Sequence, residues 1–132
     1  MIVLDASALI PVFDRLDEWH TRSRDLLAAH LEEGFAISAL TLAEALVHQA
    51  TLGTATQAAD LVKAMGITAF PVPSKAALEL AAIRAKTGLR MPDTVVLHLA
   101  QSFGALATWD TKLASAARAA GLTVLDQLPD SA

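Results

Sequence analysis

The chain contains no cysteine, which excludes disulfides, thiolate metal sites and a thiol nucleophile. It has no tyrosine either, and its aromatic residues are two Trp and four Phe. That is too few for bases to stack along a long bound strand. No apolar run approaches the ~20 residues needed to cross a bilayer. No basic stretch precedes the apolar start at Ile2, so a signal peptide is not expected and the expected location is the cytoplasm. Positive charge is in deficit: ten Lys and Arg stand against fourteen Asp and Glu, a net charge of −4. A general nucleic-acid coat needs a dominant basic surface and is excluded. A local grip on a phosphodiester, through metal ions and a few cations, is not.

What the 132 residues do have is apolar bulk: 54% are hydrophobic, and the mean hydropathy is +0.45. One domain of this length, residues 1–132, can bury a substantial core. Much of the apolar content is Ala and Leu, which suits helices packed on a buried sheet. The chain opens on Ile2-Val3-Leu4 followed by Asp5-Ala6-Ser7. A short all-apolar run reads as a strand buried on both faces, as in a parallel sheet. Such a strand delivers the next residue to the carboxyl edge, where open α/β sheets bind ligands. Here that residue is a carboxylate.

The rest alternates short strands with helices. Ala8–Phe13 is apolar, with Pro11 tolerable in a first helical turn. Asp17 is a candidate cap for a helix over Glu18–Glu33, closed by Gly34. Phe35–Ser38 reads as a second strand, and Thr41 opens a helix that ends near Gly53. Thr54 starts another to Met65, before a strand over Ile67–Val72 whose Pro71 and Pro73 mark an edge. Ser74 is a candidate cap for a helix to Thr87, and Pro92-Asp93 opens one closed by Gly104. Ala105–Thr108 is a strand, Asp110 or Thr111 caps a helix closed by Gly121, and Leu122–Leu125 is the fifth strand. From Asp126 the polar tail is expected to fray. This pattern predicts an α/β fold, a five-stranded parallel sheet between helices.

Four acids share one kind of address. Asp5 follows the first strand and Asp110 the fourth, while Glu44 and Asp93 lie in the first turns of helices. Each can be explained by structure alone. Thr41-x-x-Glu44 has the form of a capping box, and acids suit helix starts. Together they reach one edge of a doubly wound sheet, where strand ends and helix starts converge. Carboxylates within ~4–6 Å of one another repel unless a cation intervenes. An all-oxygen set favours Mg²⁺ or Mn²⁺ over Zn²⁺. Ser7 and Thr108 lie two residues from Asp5 and Asp110, where their hydroxyls either orient those acids or bond their own turns. His20 and His30 read as solvated helix residues and His98 as a core residue. His48, one helical turn beyond Glu44, could reach the acids or lie in solvent. Arg84, Lys86, Arg90 and Lys112 cluster near Asp93 and Asp110 in sequence. They form a solvated face or take the phosphates beside a scissile bond.

These residues resemble the PIN-domain ribonucleases, most closely the VapC-type toxins of bacterial toxin–antitoxin modules. The likeness covers nearly the whole chain. It rests on Ile2-Val-Leu-Asp-Ala-Ser-Ala-Leu-Ile10, Leu42-Ala-Glu44, Thr87-Gly-Leu-Arg-Met-Pro-Asp93 and Ala107-Thr-Trp-Asp-Thr-Lys-Leu113, then Gly121-Leu-Thr-Val-Leu125. The resemblance implies that Asp5, Glu44, Asp93 and Asp110 are the catalytic acids and bind one or two Mg²⁺ or Mn²⁺ ions, that Ser7 and Thr108 support them, and that the substrate is RNA. It also implies a homodimer and a small VapB-type antitoxin packed along helices. Relatives often carry a further acid shortly after the Asp110 position, where this chain has Lys112 and Leu113, and a small Ala where it has Thr94.

Composition adds to the partner expectation. The helices expected at 18–33 and from Thr41 to Gly53 carry Leu26, Leu27, Leu31, Leu42, Leu46 and Val47. One small sheet cannot cover them all, so part of this set is expected in an exposed groove that an antitoxin helix could occupy. The alternatives are a PIN fold that binds without cutting and, more remotely, a receiver-type signalling domain. The receiver needs an acid at the end of the third strand, where this chain has Val72-Pro73-Ser74.

Overall fold

The computed structural model describes residues 1–127. Five short parallel strands form one sheet: β1 (Ile2–Leu4), β2 (Phe35–Ser38), β3 (Ile67–Phe70), β4 (Ala105–Ala107) and β5 (Thr123–Leu125). Their spatial order is β3-β2-β1-β4-β5, so β3 lies at an edge, as its flanking prolines predict. The chain runs outward from β1 to β3, then returns to β1's other side for β4 and β5. The strand order therefore reverses between β1 and β4, and a crevice opens at the carboxyl ends of strands at such a point. Leu4 stands opposite Ala107 in the register of these two strands.

The helices among the described residues are α1 (Ala6–Leu9), α2 (His20–Ala29), α3 (Ala39–Leu52), α4 (Ala55–Ala64), α5 (Ala77–Thr87), α6 (Met91–Phe103) and α7 (Thr111–Ala119). Short 3-10 segments cover Ile10–Phe13 and Ser74–Ala76. No helix among the described residues is long and apolar enough to cross a membrane.

Alternation along the strands sorts the core onto two faces. Ile2, Leu4, Phe35 and Ile37 pack on one side with Leu9, Leu26 and Leu27; Val3, Ala36 and Leu106 pack on the other with Leu89, Leu97 and Leu113. Gly104, at φ +85°, closes α6 and turns the chain directly into β4, a conformation that a side chain would strain.

Four local expectations are corrected. The helix expected over Glu18–Glu33 spans only His20–Ala29, because Asp17 accepts from the Trp19 backbone N–H at 2.8 Å and closes a turn instead of capping a helix. α3 starts before Thr41: Ser38 Oγ caps it, accepting from Leu40 N–H at 3.2 Å. The Thr41–Glu44 capping box is therefore absent, Thr41 being buried with an Oγ1 that has no partner among the described residues. Ser74 opens a 3-10 turn, and α5 begins at Ala77 without a side-chain cap. Asp126 does not fray but pairs with Arg118 through two bonds of 2.7 and 2.9 Å; the remainder of the expected tail, from 128 on, lies outside the described residues.

The core account predicts a stability cost. Leu106 is fully buried in β4 beside the strand-order reversal, so Leu106→Ala is expected to cost about 2–5 kcal/mol in chemical denaturation. A loss below about 1 kcal/mol contradicts the two-faced core.

Candidate functional site

The site grows from the end of β1. Asp5 leaves the strand in extended conformation, caps α1 and accepts from Ala8 N–H at 3.1 Å through Oδ1. Only 5% exposed, it is held on its other side by hydroxyls. Ser7 Oγ lies 2.8 and 2.9 Å from its two oxygens, and Thr108 Oγ1 donates to Oδ2 at 2.6 Å. Thr108 follows β4, so that last bond joins the ends of β1 and β4 across the crevice. The two hydroxyls also accept from the next turn, Ser7 Oγ from Trp109 N–H at 3.0 Å and Thr108 Oγ1 from Asp110 N–H at 3.0 Å. The hydroxyls therefore orient Asp5.

Asp110 caps α7, its Oδ1 accepting from Lys112 and Leu113 N–H at 2.9 and 3.1 Å. Among the described residues its Oδ2 takes no hydrogen bond, which leaves that oxygen free for an external ligand. Asp93 sits half-buried in the first turn of α6, behind Pro92. Thr94, in place of a small residue, is fully buried and donates from Oγ1 to the Arg90 carbonyl at 3.0 Å, fastening that turn.

Electrostatics links three of the four acids. Burial pushes the Asp5 carboxyl above the ordinary Asp range, and the Asp110 charge pushes the same way. The bonds from Thr108, Ser7 and Ala8 oppose that rise. Burial followed by Asp110 also raises Asp93, against Arg90 and Lys112. Glu44 stands apart: it is exposed in α3 and is not among the charges acting on Asp5 or Asp93. Its link is architectural, since α3 packs against both α1 and α6, which Asp5 caps and in which Asp93 lies. The buried Thr41 Oγ1, without a partner among the described residues, lies three residues before it, on the same helix face.

Desolvated carboxylates carrying one another's repulsion suit a hard divalent cation. As the side chains stand, however, no group of three Asp, Glu, His or Cys among the described residues is placed to hold an ion. The donor chemistry fits; the complete ligand set is not assembled.

The cations divide. Arg84 is committed to structure, its Nη1 donating to the Leu89 carbonyl at 2.8 Å. Lys86, Arg90 and Lys112 are exposed, and the last two flank Asp93. His48 is exposed on α3. His98 is half-buried with Nε2 2.6 Å from Glu79, a partner that core burial would not have supplied. His20, expected in solvent, meets the Pro11 carbonyl at 2.8 Å. Trp19, which lines a cavity together with Asp110, was not legible as a neighbour of the acids. Trp109, set between Thr108 and Asp110, was the available signal.

The model of the PIN domain family matches residues 2–119. No curated protein matches the chain. Among solved structures, the Mycobacterium tuberculosis toxin VapC20, described as cleaving the sarcin–ricin loop, aligns over 98% of this chain and 100% of its own at 15% identity and TM-score 0.74. FitAB, solved bound to an IR36 DNA fragment, aligns over 100% of both chains at 21% identity and TM-score 0.72. PAE2754 from Pyrobaculum aerophilum aligns over 95% of this chain and 83% of its own at 23% identity and TM-score 0.61.

The raised carboxyls carry a consequence for stability. The folded chain holds protons at Asp5 and Asp93 more tightly than the unfolded chain does. Their contribution to stability is full below the unfolded Asp value of about 3.9 and is lost as pH rises through the raised folded values. In metal-free buffer Asp5→Asn is therefore expected to melt above wild type at pH 7, with the difference shrinking toward pH 4. A difference between variant and wild type that stays constant from pH 4 to pH 7 contradicts the raised carboxyl at Asp5.

Proposed function

The chain belongs to the PIN domain family, and on that premise we propose that it is a Mg²⁺- or Mn²⁺-dependent endoribonuclease, the toxin of a VapBC-type toxin–antitoxin pair. The observation that carries this reading is the Asp5 carboxylate fixed by Thr108 across the β1/β4 crevice, with Asp110 beside it. The fold likeness to a toxin described as cleaving the sarcin–ricin loop supports it.

In this reading Asp5, Asp93 and Asp110, with Glu44 brought to them from α3, would hold one or two divalent ions. Such an ion, when bound, activates water and offsets the charge that gathers on phosphorus during in-line attack. Ser7 and Thr108 hold Asp5 in one rotamer, so the carboxylate is already oriented. The free Oδ2 of Asp110 faces no competing donor from the chain among the described residues. Lys86, Arg90 and Lys112 take phosphates beside the scissile bond, and Arg84 holds the loop that carries Arg90.

Cleavage of RNA is expected in Mg²⁺ or Mn²⁺ and not in excess EDTA. Asp5→Asn should fall to background while remaining folded, and Thr108→Val, which removes only the orienting hydroxyl, should lose about 10–100-fold. End-mapping of cellular RNA after expression of wild type and Asp5→Asn gives the cut site. Full cleavage by Asp5→Asn, or in EDTA, contradicts the assignment.

The partner side of the proposal is a homodimer and a small antitoxin in a groove. Of the six residues expected there, Leu26 and Leu27 belong to the core, Leu42 and Leu46 are half-buried, and Leu31 and Val47 are exposed. A cavity of ≈710 Å³ lies between α2, α4 and the end of α3, lined by Phe13, Leu27, Leu31, Leu61 and Met65 with Arg24 at its wall. An amphipathic helix fits such a surface. A product of a small neighbouring reading frame is expected to co-purify, and Leu31→Glu should release it while leaving cleavage intact. Co-purification unchanged by Leu31→Glu moves the partner elsewhere.

A further inference from the structure

Beside the acids the chain's two tryptophans meet, although they lie far apart in sequence. The Trp19 and Trp109 ring centroids are 5.5 Å apart at an interplanar angle of 39°. Both rings are fixed. Trp109 Nε1 donates to the buried Ser23 Oγ at 2.9 Å and its backbone N–H to Ser7 Oγ. Trp19 donates its backbone N–H to Asp17 and its Nε1 to Glu18 at 3.0 Å. The Arg22 guanidinium lies 4.2 Å from the Trp19 centroid and 4.8 Å from that of Trp109, bracing both rings by cation–π attraction.

Both indoles border an open cavity of ≈480 Å³ whose other walls include Ser7, Pro11, Asp17 and Asp110. Arg22, which packs on the rings, is not among the residues that line that cavity. Two walls, Ser7 and Asp110, belong also to the acid site.

We propose that this cavity is a base-stacking subsite, in which one unpaired nucleobase of the RNA beside the scissile phosphodiester stacks on Trp19 and Trp109. The inference rests on the nuclease reading above and names how its substrate is seated. Rigid, pre-placed aromatic faces are what single-stranded nucleic acid binds without sequence-reading contacts. The wall charges decide which part of a nucleotide enters. Asp17 is acidic and stands outside the acid site, so a phosphate is repelled there, whereas the N–H groups of a base edge find an acceptor. Because Ser7 and Asp110 are shared, a strand with its phosphodiester at the acids has a neighbouring base within reach of the indoles. Two aromatic rings cannot seat a long strand, so stacking here is confined to one base. The substrate must therefore be single-stranded, or locally unpaired, at that position.

Trp19 and Trp109 are the chain's only tryptophans, so intrinsic indole emission reports on this cavity alone. Wild-type protein in EDTA is titrated with a short single-stranded RNA, then with a series of the same RNA carrying one abasic residue at successive positions. Saturable quenching is expected, lost when the abasic residue falls at one particular position. Trp19→Ala, with its fold checked by circular dichroism, should weaken binding about 5–150-fold, and Trp19→Phe should recover most of it. The subsite is overturned if RNA does not quench, if no abasic position matters, or if Trp19→Ala binds as wild type does. Quenching by a co-purified protein but by no RNA also overturns it, assigning the cavity to protein docking. Cleavage of the same RNA in Mg²⁺ or Mn²⁺ is read separately. Cleavage without base-dependent quenching removes the subsite and keeps the nuclease; base-dependent quenching without cleavage removes the nuclease and keeps the subsite.

Discussion

The bond from Thr108 Oγ1 to Asp5 Oδ2 closes the gap between β1 and β4 at their carboxyl ends. These two strands are neighbours in space while more than a hundred residues of chain separate their ends. The sheet backbone brings them together, but their short ladder ends just below Asp5, with Asp5 N–H to the Ala107 carbonyl at 3.4 Å. Beyond it, hydroxyl and carboxylate take over the cross-linking. Every other contact at the crevice builds on that pair: Ser7 leans on Asp5, Trp109 and Asp110 hang their backbone N–H groups on the two hydroxyls, and α7 starts from Asp110. A charge-assisted bond of this kind is roughly twice as strong as a neutral one, and it partly offsets the cost of burying a carboxylate.

The sheet was legible because its strands obey simple rules. Ile2-Val3-Leu4 and Phe35–Ser38 are apolar runs bounded by a polar residue or a glycine, and both are strands buried throughout. Helix ends marked by Gly53, Gly88 and Gly104 were legible for an equally local reason, since each adopts the left-handed cap. Helix starts were less so. Ser38 serves both as the last residue of β2 and as the cap of α3, and sequence favoured the later Thr41–Glu44 pattern because that pattern is complete in itself. Tertiary burial of Thr41 decided otherwise. Asp17 failed as a helix cap through the same rivalry between a local turn and a helix.

Within the site, the sequence made Asp5, Ser7, Thr108 and Asp110 recognisable as one group, because a parallel sheet sends successive strand ends to one edge. Asp93 follows from α6 leading into β4. The aromatic pair followed from nothing local. Trp19 falls inside the helix expected over Glu18–Glu33, yet it precedes α2 as its cap residue and turns to Trp109, with Arg22 against both. Contacts between loop residues distant in sequence carry no periodic signal, so only the folded chain reveals them.

Asp5 and Asp110 differ in what they return to the fold. Asp110 caps α7 with two backbone bonds and gains from the helix dipole, so it repays its place whether or not any reaction occurs. Asp5 likewise caps α1 and takes hydroxyl bonds from Ser7 and Thr108, but its charge is buried at a loss. Drift in a lineage released from cutting would therefore erode the two positions at different rates, Asp5 to Asn first, because an amide at position 5 sheds the buried charge and keeps an oxygen for the Ala8 N–H, while losing Asp110 frays a helix. The persistence of Asp110 in a descendant says little about activity. An aspartate at position 5 is the mark of a chain still under selection to use it.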